Sequence, residues 1–403
     1  MTGLDGARVY LDWNATAPLR PEARAAMIQA MDVVGNPSSV HGEGRTARAI
    51  VEHARAQVAR LVGCEPSEIV FTSGATEAAN IVIGNRWDCI ALGDTEHDAV
   101  HEPAILASCP TILFSGAPLE LDAPVFSFHA EGKAFRDEEL QRLWAAATAK
   151  LACLQDASGE TGVVQTVGTS TVSRADICWL RDATQLVGRA FRGADGAWQR
   201  YRDTRGKPAF TIMSAHKLGG PKGVGALVVR AGQDLGTTIR GGGQEMGRRS
   251  GTENVIGIAG FGAAAEAAQQ DQETDVWAPV EKLRNILEDA LAAAARETIF
   301  FGQESLRLPN TSCFAVPGWR GETQVMQMDL AGFAVSAGSA CSSGKVRESR
   351  VLRAMGYDAE TASSAIRVSM GPTTTEAEVL AFADAWTTAY NKRRGWAERP
   401  KSA

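Results

Sequence analysis

The chain has 403 residues, 44% of them hydrophobic and 22% charged, with a formal net charge of −6. That length allows two domains, the composition is that of an ordinary soluble globular protein, and the acidic balance argues against nucleic acid and membrane surfaces as partners. The seven cysteines are odd in number with no CxxC and no metal-site spacing, and neither an apolar signal core nor an 18-residue apolar run occurs, so a cytoplasmic protein with reduced thiols and no metal site is expected.

The first strong element in chain order is a helix over 45–62, where Ala47, Ile50, Val51, Ala54, Val58 and Leu61 share one face and Gly63 suits the C-terminal cap. A short apolar strand, 68–72, then runs into Ser73-Gly74-Ala75-Thr76. A strand, a glycine turn and a helix start with open N–H groups make an anion cradle, although many strand-to-helix turns share this pattern. A strand over 88–92 leads to Glu96-His97-Asp98, where His97 could stack on a flat ring and shuttle protons, or serve only as a structural histidine. A helix is expected over 138–149 and a strand over 150–155.

The strand 176–182 ends in Asp182-Ala-Thr-Gln185. A carboxylate there lies where open α/β sheets bind ligands, and a helix N-cap is its plainer role. The strand 209–213 leads into Ser214-Ala-His216-Lys217 and then a Gly/Pro-rich turn. A lysine at a buried strand end is costly unless it is paired or used covalently, and Schiff-base chemistry with pyridoxal phosphate would use it so. In that setting Asp182 would keep the pyridine nitrogen protonated and Gln185 would meet the phenolic oxygen. No Walker A loop is present, and no GxGxxG sits between a strand and a helix, so the phosphate belongs to a cofactor rather than a nucleotide.

After a strand over 224–230, the loop Gly241-Gly-Gly-Gln-Glu-Met-Gly-Arg-Arg-Ser-Gly251-Thr252 allows close backbone approach and offers arginines and Thr252 to an anion. From about residue 255 an Ala-rich helix, 258–270, and an amphipathic one, 279–297, announce a smaller domain. The organisation read from the sequence is a large cofactor-binding domain over 15–257 and a small domain made of 1–14 with 258–403. Ser336-Ala-Gly-Ser-Ala-Cys341-Ser-Ser-Gly344 surrounds one thiol with small residues, which suits a mobile nucleophile, whereas Cys313 has the bulky neighbours of a structural cysteine. Arg367 sits alone in the strand-like Ile366-Arg-Val-Ser-Met-Gly371, placed either to clamp an α-carboxylate or to face solvent. The tail from Lys392 is expected to fray.

Taken in order, these motifs resemble the cysteine desulfurases of the class-V aminotransferase branch of fold-type I pyridoxal-phosphate enzymes. The resemblance runs from Tyr10-Leu-Asp-Trp-Asn14-Ala-Thr-Ala-Pro, through Gly35-Asn-Pro-Ser-Ser-Val-His41, to Arg367-Val-Ser-Met-Gly371. It implies an α/β fold with a mostly parallel, helix-covered sheet in the large domain and a smaller α+β domain. By resemblance, Lys217 would hold the cofactor, and Ala75, Thr76, Ser214 and His216 would contact its phosphate, joined by Thr252 of the other subunit of a homodimer. His97 would stack on the ring, and Asp182 and Gln185 would bond to it. Asn14 and Arg367 would place L-cysteine, and Cys341 would take its sulfur as a persulfide for an acceptor or iron–sulfur scaffold protein, with which it could transiently share a cluster ligand. The long-loop type is associated with iron–sulfur assembly and nitrogen fixation.

The family's Asn-Asn-Glu-x-Gly becomes Ser158-Gly159-Glu160-Thr-Gly162, Trp13 replaces a small or polar residue, and 188–208 is longer and more basic than usual. Selenocysteine lyase or class-V aminotransferase chemistry on the same scaffold, and a non-enzymatic sulfur-transfer scaffold, are the competing readings.

Overall fold

The computed structural model describes residues 8–114, 145–165, 177–193, 198–200, 209–338 and 348–397. The chain divides into two compact units, a larger one of residues 16–158 and 164–274 and a smaller one of residues 1–15, 159–163 and 275–403.

After β1 (Val9–Tyr10), which belongs to the smaller unit, the strands of the larger unit are β2 (Ile69–Thr72), β3 (Cys89–Gly93), β4 (Thr111–Phe114), β5 (Lys150–Gln155), β6 (Cys178–Asp182), β7 (Ala190–Arg192), β8 (Trp198–Arg200), β9 (Phe210–Ser214) and β10 (Gly225–Val229). Seven of them form one sheet in the order β2-β10-β9-β6-β5-β3-β4. The run β9-β6-β5-β3-β4 is parallel, and β10 is antiparallel to both its neighbours. Strands β2, β3, β5, β9 and β10 are buried at every position, as expected of continuous apolar runs covered on both faces. β7 and β8 pair as a separate antiparallel ribbon within the basic 188–208 stretch.

The helices of this unit are α1 (Pro21–Met31), α2 (Gly42–Val62), α3 (Ala75–Ile83), α4 (Asp98–Ile105) and α5 (Val255–Glu273). α2 ends on Gly63 in the left-handed region (φ 77°), the cap that the sequence indicates. α3 packs on β9, β10 and α4, and Ile81, Val82, Val100, Leu92, Leu151, Leu180, Phe210 and Ile212 fill the shared core. α5 lies against α1 and α2. Its glycines permit the approach, because a Cβ on Gly262 would stand 2.6 Å from the Cα of Ala54, and one on Gly260 would stand 2.6 Å from Cγ of Met27. The division therefore falls after Thr274, where the change in composition had suggested 257/258. Of the helix expected over 138–149, residues 138–144 lie outside the described residues.

The smaller unit contains helices α6 (Trp277–Ala294), α7 (Gly321–Leu330), α8 (Arg350–Ala354), α9 (Ala359–Ser363) and α10 (Glu376–Ala397). β11 (Ile299–Phe300), β12 (Thr311–Ala315), β15 (Ala365–Ser369) and β14 (Ser336–Ala337) form an antiparallel sheet in that order, and β13 (Phe333–Ala334) pairs in parallel with β1. Phe314, Trp319, Trp386 and Tyr390 stack into its aromatic core. The tail does not fray at Lys392, since α10 continues through Ala397. Tyr390 explains this, because its ring lies parallel to Trp386 and anchors the last turns.

Candidate active site

In the larger unit, the candidate residues gather beyond the C-terminal ends of neighbouring strands. β2 passes through Ser73 and Gly74 into α3, whose first turn has no side-chain cap, so the N–H groups around Ala75 and Thr76 remain open to an anion. The turn is packed tightly, because a Cβ on Gly225 would lie 2.6 Å from the Cα of Gly74. Ser214 Oγ stands beside the turn, 3.8 Å from where a Gly74 Cβ would be. Glu77 accepts the Ser73 N–H at 2.8 Å and Arg249 Nε at 2.8 Å. Burial works to raise the Glu77 carboxyl, but those bonds outweigh it and hold the group below the usual carboxylate range. Arg249 thus neutralises an acid beside the anion cradle.

Asp182 ends β6 opposite Ile212 of β9, on the same sheet edge as the Ser214–Lys217 turn. It is buried, and Oδ1 accepts the Thr184 N–H at 2.9 Å, which orients the other oxygen. Gln185 follows on the same turn and is also buried. His97 caps α4, its Nδ1 accepting the Ala99 N–H at 3.0 Å. A ring nitrogen that accepts carries no hydrogen, so the proton of His97 resides on Nε2.

His216 Nδ1 lies 3.1 Å from Thr16 Oγ1, and the His216 carbonyl takes the Ala17 N–H at 2.9 Å. Burial first, then the charges of Lys217 and Lys222, lower the His216 imidazole to about 4. The unfolded chain binds that proton near 6.5, so between these values the unfolded state holds more protons, and stability falls as pH drops from 6.5 towards 4. His216→Gln is expected to flatten the melting temperature across that window, measured by calorimetry against pH; a slope equal to the parent's would assign the dependence to other groups.

Thr252 is exposed, on a loop that is firmly anchored. The carboxylate of Glu245 receives both Nη atoms of Arg55, at 2.8 and 2.9 Å, and the Phe71 N–H at 2.8 Å.

In the smaller unit, Asn14 is fully buried, its amide donating to the Gly159 carbonyl and to Thr311 Oγ1 and its oxygen accepting from Asn310. Arg367 Nη1 donates to the same Gly159 carbonyl at 2.8 Å and Nη2 to Asp12 at 2.7 Å, while its buried Nε has no partner among the described residues. Gly159 thus gathers Asn14 and Arg367 through its carbonyl, and Trp13 lies flat against Gly371, where a Cβ would meet the indole at 2.3 Å. Cys341 lies outside the described residues. Burial raises the thiols of Cys89, Cys109, Cys153, Cys178 and Cys313, with Cys89 pushed up to about 12, so these are poor nucleophiles.

An uncapped helix start, a serine hydroxyl, a neutral imidazole, an oriented buried carboxylate and a lysine share one edge of one sheet. That donor set fits a phosphorylated aldehyde with a basic ring nitrogen. The sequence reading offered the loop arginines to an anion, but Arg249 is paired with Glu77 instead, and it gave no role to Thr16, Glu77 or Asp12. Thr16 and Asp12 stand inside the quoted Tyr10-to-Pro18 motif, and Glu77 directly follows Thr76, but the partners that give them meaning are up to several hundred residues away.

The sequence model of the family described as aminotransferase class-V matches residues 9–382. The chain belongs to the class-V aminotransferase family. Enzymes of this family depend on pyridoxal phosphate. The chain is 38% identical to the cysteine desulfurase of Cereibacter sphaeroides, covering 92% of this chain and 93% of that one. It is 34% identical to the cysteine desulfurase IscS of Dictyoglomus turgidum, covering 92% and 91%. Among solved structures, a NifS-like protein from Rickettsia africae superposes with a TM-score of 0.81 at 29% identity, covering 95% of this chain and 99% of that chain. The mostly parallel sheet with helices is the fold-type I arrangement anticipated from the motifs.

Proposed function

We propose that the protein is a pyridoxal-phosphate-dependent cysteine desulfurase. It takes sulfur from L-cysteine, releases L-alanine and leaves a persulfide on Cys341 for an acceptor that assembles iron–sulfur clusters or another sulfur-containing cofactor. The observation that carries the reading is the sheet edge where Asp182, the Ser214–Lys217 turn and the uncapped start of α3 come together.

When bound, pyridoxal phosphate supplies an electron sink for the substrate α-carbon. The N–H groups of Ala75 and Thr76, the Thr76 and Ser214 hydroxyls and neutral His216 would receive its phosphate, with Thr252 supplied by the other subunit of a homodimer. Asp182, whose Oδ1 is taken by the Thr184 N–H, would keep the ring nitrogen protonated through its other oxygen. Lys217 would anchor the cofactor and carry the α-proton on Nζ, and His97 would lie against the cofactor and relay a proton through Nε2. Arg367 would place the substrate carboxylate, and Asn14, whose two amide hydrogens are spent on the Gly159 carbonyl and Thr311, supports it by holding the carbonyl that Arg367 also grips.

The sulfur step balances without an outside oxidant. The Cys341 thiolate attacks the substrate sulfur, the substrate C–S bond breaks, Cys341 keeps the S–S bond, and a proton replaces sulfur on the substrate carbon to give alanine.

The test is an alanine and persulfide assay with L-cysteine. The parent is expected to form both, and Cys341→Ser to form neither while still perturbing its cofactor spectrum on binding cysteine. Sulfur release by Cys341→Ser at the parental rate would sink the assignment of the nucleophile, and alanine formation by neither protein would sink the function.

A further inference from the structure

The turn after β6 carries a buried arginine with no part in the reaction above. Arg189 is 3% exposed. Its Nη1 donates to Gln185 Oε1 at 2.8 Å, and its Nη2 reaches the Lys217 carbonyl oxygen at 3.5 Å. The backbone holds it there from both sides. Its N–H bonds to the Leu186 carbonyl at 3.0 Å, and its own carbonyl accepts from buried Gln272 Nε2 at 2.8 Å. Gly188, at φ +81°, makes the turn possible, because a Cβ there would be strained and would stand 3.2 Å from both Ala268 Cβ and Leu218 Cβ.

A guanidinium has donors and no acceptor, so Gln185 must turn its oxygen to Arg189 and its NH2 group away. Without such a partner a glutamine amide can rotate by half a turn and offer either end. We infer that Arg189 is a positioning residue that fixes Gln185 as a hydrogen-bond donor towards the phenolic oxygen of the cofactor and ties that amide to the backbone of Lys217. The inference rests on the cofactor reading above. A charge-assisted bond at the amide oxygen also polarises the amide and strengthens its N–H as a donor.

The test uses full-length protein titrated with pyridoxal phosphate at fixed neutral pH, reading the visible cofactor bands, the dissociation constant and the melting temperature. Arg189→Met is expected to change the ratio of the cofactor bands and to weaken cofactor binding by about tenfold, the worth of one hydrogen bond. Arg189→Lys keeps a cationic donor and is expected to restore the parental spectrum. Gln185→Glu keeps Arg189 paired but removes the donor, so it is expected to melt like the parent and show the Arg189→Met spectrum. A lower melting temperature in Arg189→Met with parental bands and affinity would reduce Arg189 to a structural residue and overturn the inference. A parent that takes up no pyridoxal phosphate would overturn the cofactor reading itself, and this inference with it.

Discussion

Lys217→Ala is expected to fold, to lose turnover of L-cysteine by at least about 10³-fold and to lose covalent attachment of pyridoxal phosphate. The size follows from two roles in one side chain. Positioned proton transfer alone contributes roughly 10²–10⁴-fold, and loss of the covalent anchor adds to it. The fold should survive because Lys217 is only partly buried, and the turn that bears it is held by other groups: Leu218 N–H to the Ala215 carbonyl, Gly220 N–H to the same oxygen, and Ala17 N–H to the His216 carbonyl. Borohydride reduction followed by peptide mapping should place the cofactor on Lys217 in the parent and on no residue in the variant. Attachment at another lysine, or turnover within tenfold of the parent, would remove Lys217 from the chemistry.

The sheet edge was legible because buried parallel strands are written as unbroken apolar runs, and the residues just past such runs are the ones that reach ligands. Phe210–Ser214 reads this way, as does Ile69–Thr72 although its one neighbour is antiparallel, while Arg181 interrupts Cys178–Asp182; each delivers a candidate group at its end. What sequence could not give were pairings across long separations. Arg55 and Glu245 are 190 positions apart, and Asn14 and Thr311 are 297 apart; nothing local in either partner names the other. The Ala- and Gly-rich Val255–Glu273 helix misled for a related reason. Its small residues look like a change of domain, yet they are small because α1 and α2 press against them. Arg189 read as one basic residue in a basic stretch, and only its burial against Gln185 sets it apart.

The same limit hid the anchor of the glycine-rich loop, whose removal should be strongly destabilising. Glu245 and Met246 are non-glycine residues in the left-handed region, at φ 49° and 57°, a conformation that costs about 1–3 kcal/mol each and persists only where neighbours enforce it. The enforcement comes from Arg55. Its guanidinium grips Glu245 with both Nη atoms, donates to the Ile69 carbonyl at 2.8 Å and lies 4.9 Å from the centre of the Phe71 ring. Glu245→Ala leaves that buried cation with only the half-exposed Glu52 for a counter-charge and takes the acceptor from the Phe71 N–H. Breaking one side of a buried pair costs about 3–5 kcal/mol, and the surviving Glu52 contact sets this case near the lower figure. Calorimetry should therefore show a melting temperature lower by on the order of 5–10 °C. Trypsin should cut faster at exposed Arg240, because the loop loses its hold on β2. Glu245→Gln, which keeps the volume and one acceptor but not the charge, should fall between the two. An alanine variant that melts within a degree of the parent and resists trypsin equally would mean that the loop is held by other contacts, such as Arg249 with Glu77 and Arg248 with the Ser67 carbonyl.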